Sequence, residues 1–453
     1  MPALRRDPDG PAGGALERAL DRVDPAVIGA AFVLLALLVY VLSNPARQNT
    51  YNHFVWQAQA FLHLDAAIPW KVPGAPSFQD VMPLTNRPGF GLIPFPPLPA
   101  VLLMPVVAIW GLSTNAALFA AVLGAVNVGL CWRMLLRITD RRDAAALGSM
   151  FYGFGTVAWY AAMLGSTWFL AHVVASTFLF LAITAALDAE RRQAVAGVAR
   201  GALGFVDLRQ FLAGFLLGVV ALSRLTTILG APFFVFVGGG GSWTRRAVSA
   251  GLGAAIPVGL LVAYNLSVTG HVFNPAYDYI ARTEYHPPGG QYNADWDIED
   301  VRYVPGNALI MLLWPPEQPA NTPDCAGVTT NGLGVLLDRE CAAFRPDALG
   351  MSLLLTSPAY LLGIPALFTS LRRRLVAGAA IATVAIAFVN LMHFSQGWVQ
   401  FGYRFSNDFA PFGMVLVGVT LARFGVRWWS VALVAASVLV NAWGVYWGVT
   451  LGW

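Results

Sequence analysis

Apolar residues come in long uninterrupted blocks separated by short polar stretches, with no two-residue alternation sustained through them. A helix needs about 20 such residues to cross ~30 Å of hydrocarbon. The pattern predicts membrane spans at 26–43, 115–136, 144–163, 168–187, 211–223, 226–240, 247–268, 350–370, 375–393, 408–422 and 428–449. The fold class expected is therefore all-α, a polytopic transmembrane bundle of about 11 spans with two large extracytoplasmic loops. A transmembrane barrel would show ~10-residue alternating segments instead. The first block follows 25 mostly polar residues and is long enough to span, so it reads as an uncleaved helix. Spans 211–223 and 226–240 are short, with Gly230 and Pro232 near the break, and read as a V-shaped pair that crosses only in part.

Charge orients the bundle. With residues 1–25 placed as a cytosolic N-terminal segment, 19 arginines fall in inner segments, including Arg133 to Arg142, Arg372 to Arg374, and Arg423 with Arg427. Eight Lys and Arg fall outside, and the positive-inside rule then puts the C-terminus outside as well. Counting 92–111 as a crossing would turn the Arg137–Arg142 cluster outward. Its prolines also weaken a regular helix, so it reads as re-entrant or interfacial on the outer face. Residues 26–268 then form one transmembrane module that includes the outer loop 44–114. Residues 269–349 form a second extracytoplasmic region, and 350–453 the C-terminal helices.

Composition agrees and excludes other classes. Among 453 residues, 57% are hydrophobic and 11% charged, against about 25% charged in soluble domains. No basic stripe lies outside the inner loops, so nucleic acid is not an expected partner. All carboxylates can be placed in loops or at span ends, which disfavours a proton relay through the bilayer core.

A few residues carry candidate chemistry. Arg224, within GFLLGVVALSRLTTILGAPF, reads either as a snorkelling residue or as a cation for a lipid phosphate, whose oxygens suit a guanidinium fork. The turn QGWVQFGYRFSNDFAPF sets Tyr403, Arg404 and Asp408 together, either as an aromatic belt with an Arg404–Asp408 pair or as a second phosphate or sugar contact. His53 and His63 read as base, ligand or belt residues, and His172 begins a span on the outer side. Asp80, in PSFQDVMPLTNRPGFG, has Arg87 nearby in sequence to hold it ionised. The two either order the loop, or Asp80 serves as a general base with Arg87 beside the substrate. Cys325 and Cys341 share the second outer loop and are expected to form a disulfide worth ~3 kcal/mol. Cys131 reads as a small apolar residue in a span. The acidic run Asp295–Asp300 reads as a solvated face, and neither metal nor cofactor is expected.

These features together resemble the GT-C superfamily of polytopic glycosyltransferases. The resemblance rests on the amphipathic TYNHFVWQAQAFLH opening the first outer loop, the Pro-Pro-Leu start of IPFPPLPAVLLMP, the broken span with Arg224 and the GYRF turn. It covers most of residues 26–412 and implies a polyprenyl-phosphate-linked sugar as donor. The acceptor would be an extracytoplasmic glycan, lipid or protein, and the bilayer is itself a partner. It implies a multi-pass protein of the plasma (inner) membrane, serving the cell envelope, with its active site outside. In that superfamily an acidic residue follows the first span. Here the stretch reads Asn49, Thr50, Tyr51, Asn52, His53, which moves the base to Asp80 or His53. The phosphate contacts implied are Arg224 and Arg404. A non-catalytic lipid-handling, transport or envelope-assembly protein is the alternative, although the internal repeat that many transporters carry is not seen.

Overall fold

The computed structural model describes residues 15–46, 51–196, 205–283, 292–325, 327, 332–397 and 399–453. Asn49, Thr50 and Trp398 lie outside the described residues. Helices dominate, and six of them are long and apolar enough to cross a membrane: Pro25–Ser43, Ala116–Ile138, Thr167–Val195, Trp243–Thr269, Arg374–Met392 and Trp428–Leu451. The chain is an integral membrane protein with an all-α core. Six of the eleven expected spans are thus single helices of sufficient length and hydropathy.

Of the others, 211–223 and 408–422 are also single helices, Leu208–Ala221 and Ser406–Phe424, and three are broken for local reasons. The block at 144–163 divides into Arg142–Phe154 and Ala158–Leu164. At Gly155, between them, a Cβ would lie 2.9 Å from both Phe151 and Ser437, so the chain turns where a larger residue has no room. The block at 226–240 becomes a 3₁₀ turn, Leu225–Gly230, followed by Ala231–Phe236, as Gly230 and Pro232 suggest. Residues 350–370 form Leu353–Thr356, a 3₁₀ segment Pro358–Gly363 and Ile364–Ser370, because Pro358 and Pro365 each restart the backbone. Within the 92–111 run the helix is Leu98–Trp110, about 20 Å long and too short to span. A three-stranded antiparallel sheet, Ile68–Pro69, Phe90–Leu92 and Met82–Pro83 in that spatial order, was not expected from the sequence.

Two helices approach unusually closely. A Cβ on Gly214 would fall 2.0 Å from the Ala250 carbonyl oxygen, and one on Gly253 would fall 2.0 Å from that of Phe211. Glycine at these points lets Leu208–Ala221 and Trp243–Thr269 touch backbone to backbone, which is how helices gain dispersion energy when both are bathed in lipid.

The bundle has two chemically distinct ends. At one, arginines close the helices: Arg137 bonds Asp188 at 2.5 Å, Arg374 bonds Glu190 at 3.0 Å, and Arg142 donates to the Leu20 and Val23 carbonyls. At the other, the loops meet. Thr167 donates its amide to the Tyr51 carbonyl, Asn274 donates to that of Ile93, and Asp300 donates its amide to that of Met392. Cys325 and Cys341 form a disulfide there, with Cα atoms 5.5 Å apart. Cys131 is free and buried.

Candidate functional site

The loop end holds two carboxylates in contrasting settings. Asp408, in the first turn of Ser406–Phe424, is fully buried. Its Oδ1 lies 2.7 Å from His172 Nδ1, and its Oδ2 accepts from Arg224 Nη2 at 2.9 Å and from Asn390 Nδ2 at 3.1 Å. Arg224 Nε lies 3.2 Å from Oδ1, and the Thr226 hydroxyl reaches Oδ2 at 3.5 Å. Three segments besides its own helix therefore converge on one carboxylate. The expected Arg404–Asp408 pair does not form, because the helix begins at Ser406 and Arg404 lies before it, outside the i, i+4 geometry. Arg224 is neither snorkelling nor unpaired, since its charge is met inside the protein. His172 also lines a small cavity with Asn127, Tyr152, Ser176 and Asn407, and its Nε2 has no hydrogen-bond partner among the described residues.

Asp80 sits differently. It accepts from the Trp168 indole Nε1 at 2.7 Å, and the charge of Arg404 acts on it. Burial pushes its pKa up from the ordinary carboxylate value, and the Trp168 bond and Arg404 only partly offset that. Its backbone is left-handed, φ 55°, a conformation that costs a non-glycine residue energy and recurs at functional sites. Arg87 does not hold Asp80. It bonds Asp65 at 2.5 Å and stacks 3.6 Å from the Phe90 ring, so the expected Asp80–Arg87 pair and its lowering of the Asp80 pKa are corrected. Asp65, in turn, has Arg87 as its anchor and an amide bond from Ala67.

Arg404 is 9% exposed, and its Nε has no hydrogen-bond partner among the described residues. Its guanidinium lies 5.9 Å from the Trp168 ring, 5.8 Å from Phe169 and 5.4 Å from Phe405. Arg224 lies 5.1 Å from the same Phe405 ring, so the two arginines flank one aromatic side chain. Gly397, at φ 99°, leaves room for this: a Cβ there would be 2.7 Å from the Arg404 Cζ. Tyr403 is fully buried, with its ring 6.0 Å from that of Phe405 and its hydroxyl without a partner among the described residues.

His53 is fully buried, with both ring nitrogens engaged, Nε2 2.7 Å from the Gln79 carbonyl and Nδ1 3.0 Å from the Thr167 hydroxyl. It stacks on Phe78 at 4.4 Å, a floor for the loop more than a proton acceptor. His63 bonds the Gln59 carbonyl on its own helix. The acidic run is divided among separate partners: Glu299 bonds His393 at 2.7 Å, and Asp300 is drawn down to about 2 by the hydrogen bonds from Arg302. Among the described residues no group of three or more His, Cys, Asp or Glu is placed to hold a metal. Sequence reading missed Trp168, Asn390 and Thr226. A lone amide in the apolar run before His393 was the available signal for Asn390.

The fold and site together define a membrane-embedded helical protein with a cluster of charged and aromatic side chains where its loops meet. No family model and no curated protein matches the sequence. In structure the chain is similar to the apo oligosaccharyltransferase of Archaeoglobus fulgidus, with TM-score 0.48 and 13% identity, over 93% of this chain and 55% of that one. It is also similar to that protein tethered to an acceptor peptide containing the NVT sequon, with TM-score 0.49 and 15% identity over the same shares. A third likeness is to archaeal oligosaccharyltransferase AglB from the same organism in complex with an inhibitory peptide and a dolichol-phosphate, with TM-score 0.45 and 14% identity over 94% and 55%. The chain spans about half the length of these structures.

Proposed function

We propose that this protein is a membrane glycosyltransferase that moves a sugar from a polyprenyl-phosphate donor to an extracytoplasmic acceptor. The observation that carries the reading is the convergence of Asp80 and Arg404 on Trp168, a base on its indole N–H and a cation over its ring, at the ends of apolar helices. The donor's chain would lie in lipid against those helices, with its phosphate beside Arg404. The acceptor oxygen attacks the anomeric carbon, the bond from that carbon to the phosphate oxygen breaks, and polyprenyl phosphate leaves with both electrons. Arg404, with an unspent Nε, meets the charge that grows on the phosphate. Asp80 takes the acceptor's proton, and its raised pKa makes it a stronger base than an exposed carboxylate. Asp408 holds Arg224 in place on the Phe405 ring that Arg404 also meets, a positioning role. The loop end faces the extracytoplasmic side in this reading, with the arginine end in the cytosol.

Purified protein supplied with a panel of labelled polyprenyl-phosphate sugars and cell-envelope acceptors tests this. One sugar transferred by the parent, and lost in both Asp80→Asn and Arg404→Gln, is the expected result. Transfer untouched by either substitution overturns the assignment.

A further inference from the structure

Beside Asp80 lies a group of rings that the chemistry above does not use. Tyr51 is 40% exposed, a large aromatic on the surface beside the Asp80–Trp168 pair. Its ring is 5.2 Å from Trp168, 6.3 Å from Phe78 and 6.5 Å from His53, which closes the floor beneath it. Tyr51 is held at φ 52°, left-handed like Asp80, and its carbonyl is pinned by both the amide and the hydroxyl of Thr167. A strained backbone kept in place by two hydrogen bonds fixes where the ring stands. Trp168 joins the two features: its indole N–H is spent on Asp80, while its ring packs against Tyr51 and lies 5.9 Å from the Arg404 guanidinium.

Resting on the glycosyltransferase reading, we infer that Tyr51 and Trp168 form the platform that seats a pyranose ring beside the Asp80 carboxylate. A pyranose offers one flat face of axial C–H bonds and an edge of hydroxyls. The first suits the negative face of an aromatic ring, and the second suits a carboxylate and a guanidinium. A furanose, smaller and puckered, lacks that flat face. The Tyr51 and Trp168 rings stand beside the Asp80 carboxylate and the Arg404 guanidinium, so both kinds of contact are within reach of one sugar. This makes Tyr51 a specificity residue that the chemistry of transfer does not itself require.

Saturation-transfer NMR on the full chain, in nanodiscs of deuterated lipid, tests the platform with methyl gluco-, galacto- and mannopyranosides and the corresponding furanosides. Undecaprenyl phosphate binding is measured in parallel. Tyr51→Gly removes the ring and adopts the left-handed backbone without strain, so folding is preserved where Tyr51→Ala would keep the strain. Tyr51→Phe keeps the ring. The expected result is saturation of one pyranoside's axial protons, unchanged in Tyr51→Phe and reduced about tenfold in Tyr51→Gly, the scale of one aromatic contact. Equal saturation in Tyr51→Gly, or saturation of furanosides alone, overturns the inference. If undecaprenyl phosphate binds and no glycoside is saturated, the platform fails while the donor reading stands. If neither binds, both fail.

Discussion

Asp408 and Asp80 are the same side chain at the same end of the bundle, yet they sit in different surroundings. Around Asp408 a histidine, an arginine, an amide and a hydroxyl converge on both oxygens, and nothing polar is left over on the carboxylate. Around Asp80 an indole N–H donates, a left-handed backbone holds the loop, and Arg404, over the same indole ring, keeps its Nε unbonded among the described residues. A saturated buried charge cluster fixes geometry, because any partner lost strands the others in a low-dielectric setting. A carboxylate whose burial is only partly offset is poised to accept a proton. In the proposed reading the first is scaffold and the second does the chemistry, a distinction drawn from surroundings and not from residue type.

The largest expected effect breaks the closed cluster. Asp408→Asn leaves Arg224 buried without a counter-charge and should cost about 3–5 kcal/mol, read as a fall in the thermal unfolding midpoint of the purified protein. A loss below about 1 kcal/mol would erase the contrast between the two carboxylates. Next, Asp80→Asn should slow sugar transfer by about 10²–10⁴-fold, with the unfolding midpoint nearly held. Asparagine suits the left-handed backbone and still accepts from Trp168.

The pH dependence sharpens the same contrast. Because burial raises the Asp80 pKa, the folded state binds that proton more tightly than the unfolded chain, so this group favours folding at acid pH and its contribution is lost as pH rises through the folded value. The Asp80→Asn variant should therefore match or slightly exceed the parent's stability at neutral pH and lose that advantage as pH falls through the carboxylate range. Transfer by the parent should rise with pH through a pKa above the ordinary carboxylate value, measured as a pH–rate profile. The smallest effect belongs to Arg87→Ala, which breaks an exposed pair with Asp65 and should cost about 0.2–1 kcal/mol with transfer unchanged. A rate loss there would restore Arg87 to the site.

Much of the architecture could be read from local pattern. Hydropathy located the six long helices, the 51–63 stretch contains the helix His53–Leu62, and two cysteines in one loop pointed to their disulfide. Gly230 and Pro232 marked the break beside Arg224. What local pattern could not carry was partner choice across long separations. Asp408 finds Arg224 at 184 positions' distance and His172 at 236, whereas Arg404, four residues away, misses it by the start of a helix. Arg87 likewise passes over Asp80 for Asp65, because the small sheet brings its strand back along the loop. Short sequence spacing misled wherever a backbone turn intervened.

The separation between Arg224 and Asp408 also sets an order of events during synthesis. Arg224 leaves the ribosome 184 residues ahead of its counter-charge, an interval of about 10–40 s at ordinary elongation rates. Through that interval the broken segment carries an unmatched guanidinium at a membrane whose core rejects it. Residues 225–236, a 3₁₀ turn and a short helix, start right after Arg224 and would keep that charge near the surface in the proposed topology, until the Ser406–Phe424 helix arrives to neutralise it. Nascent chains halted before residue 406 should hold Arg224 accessible to water, and longer ones should not.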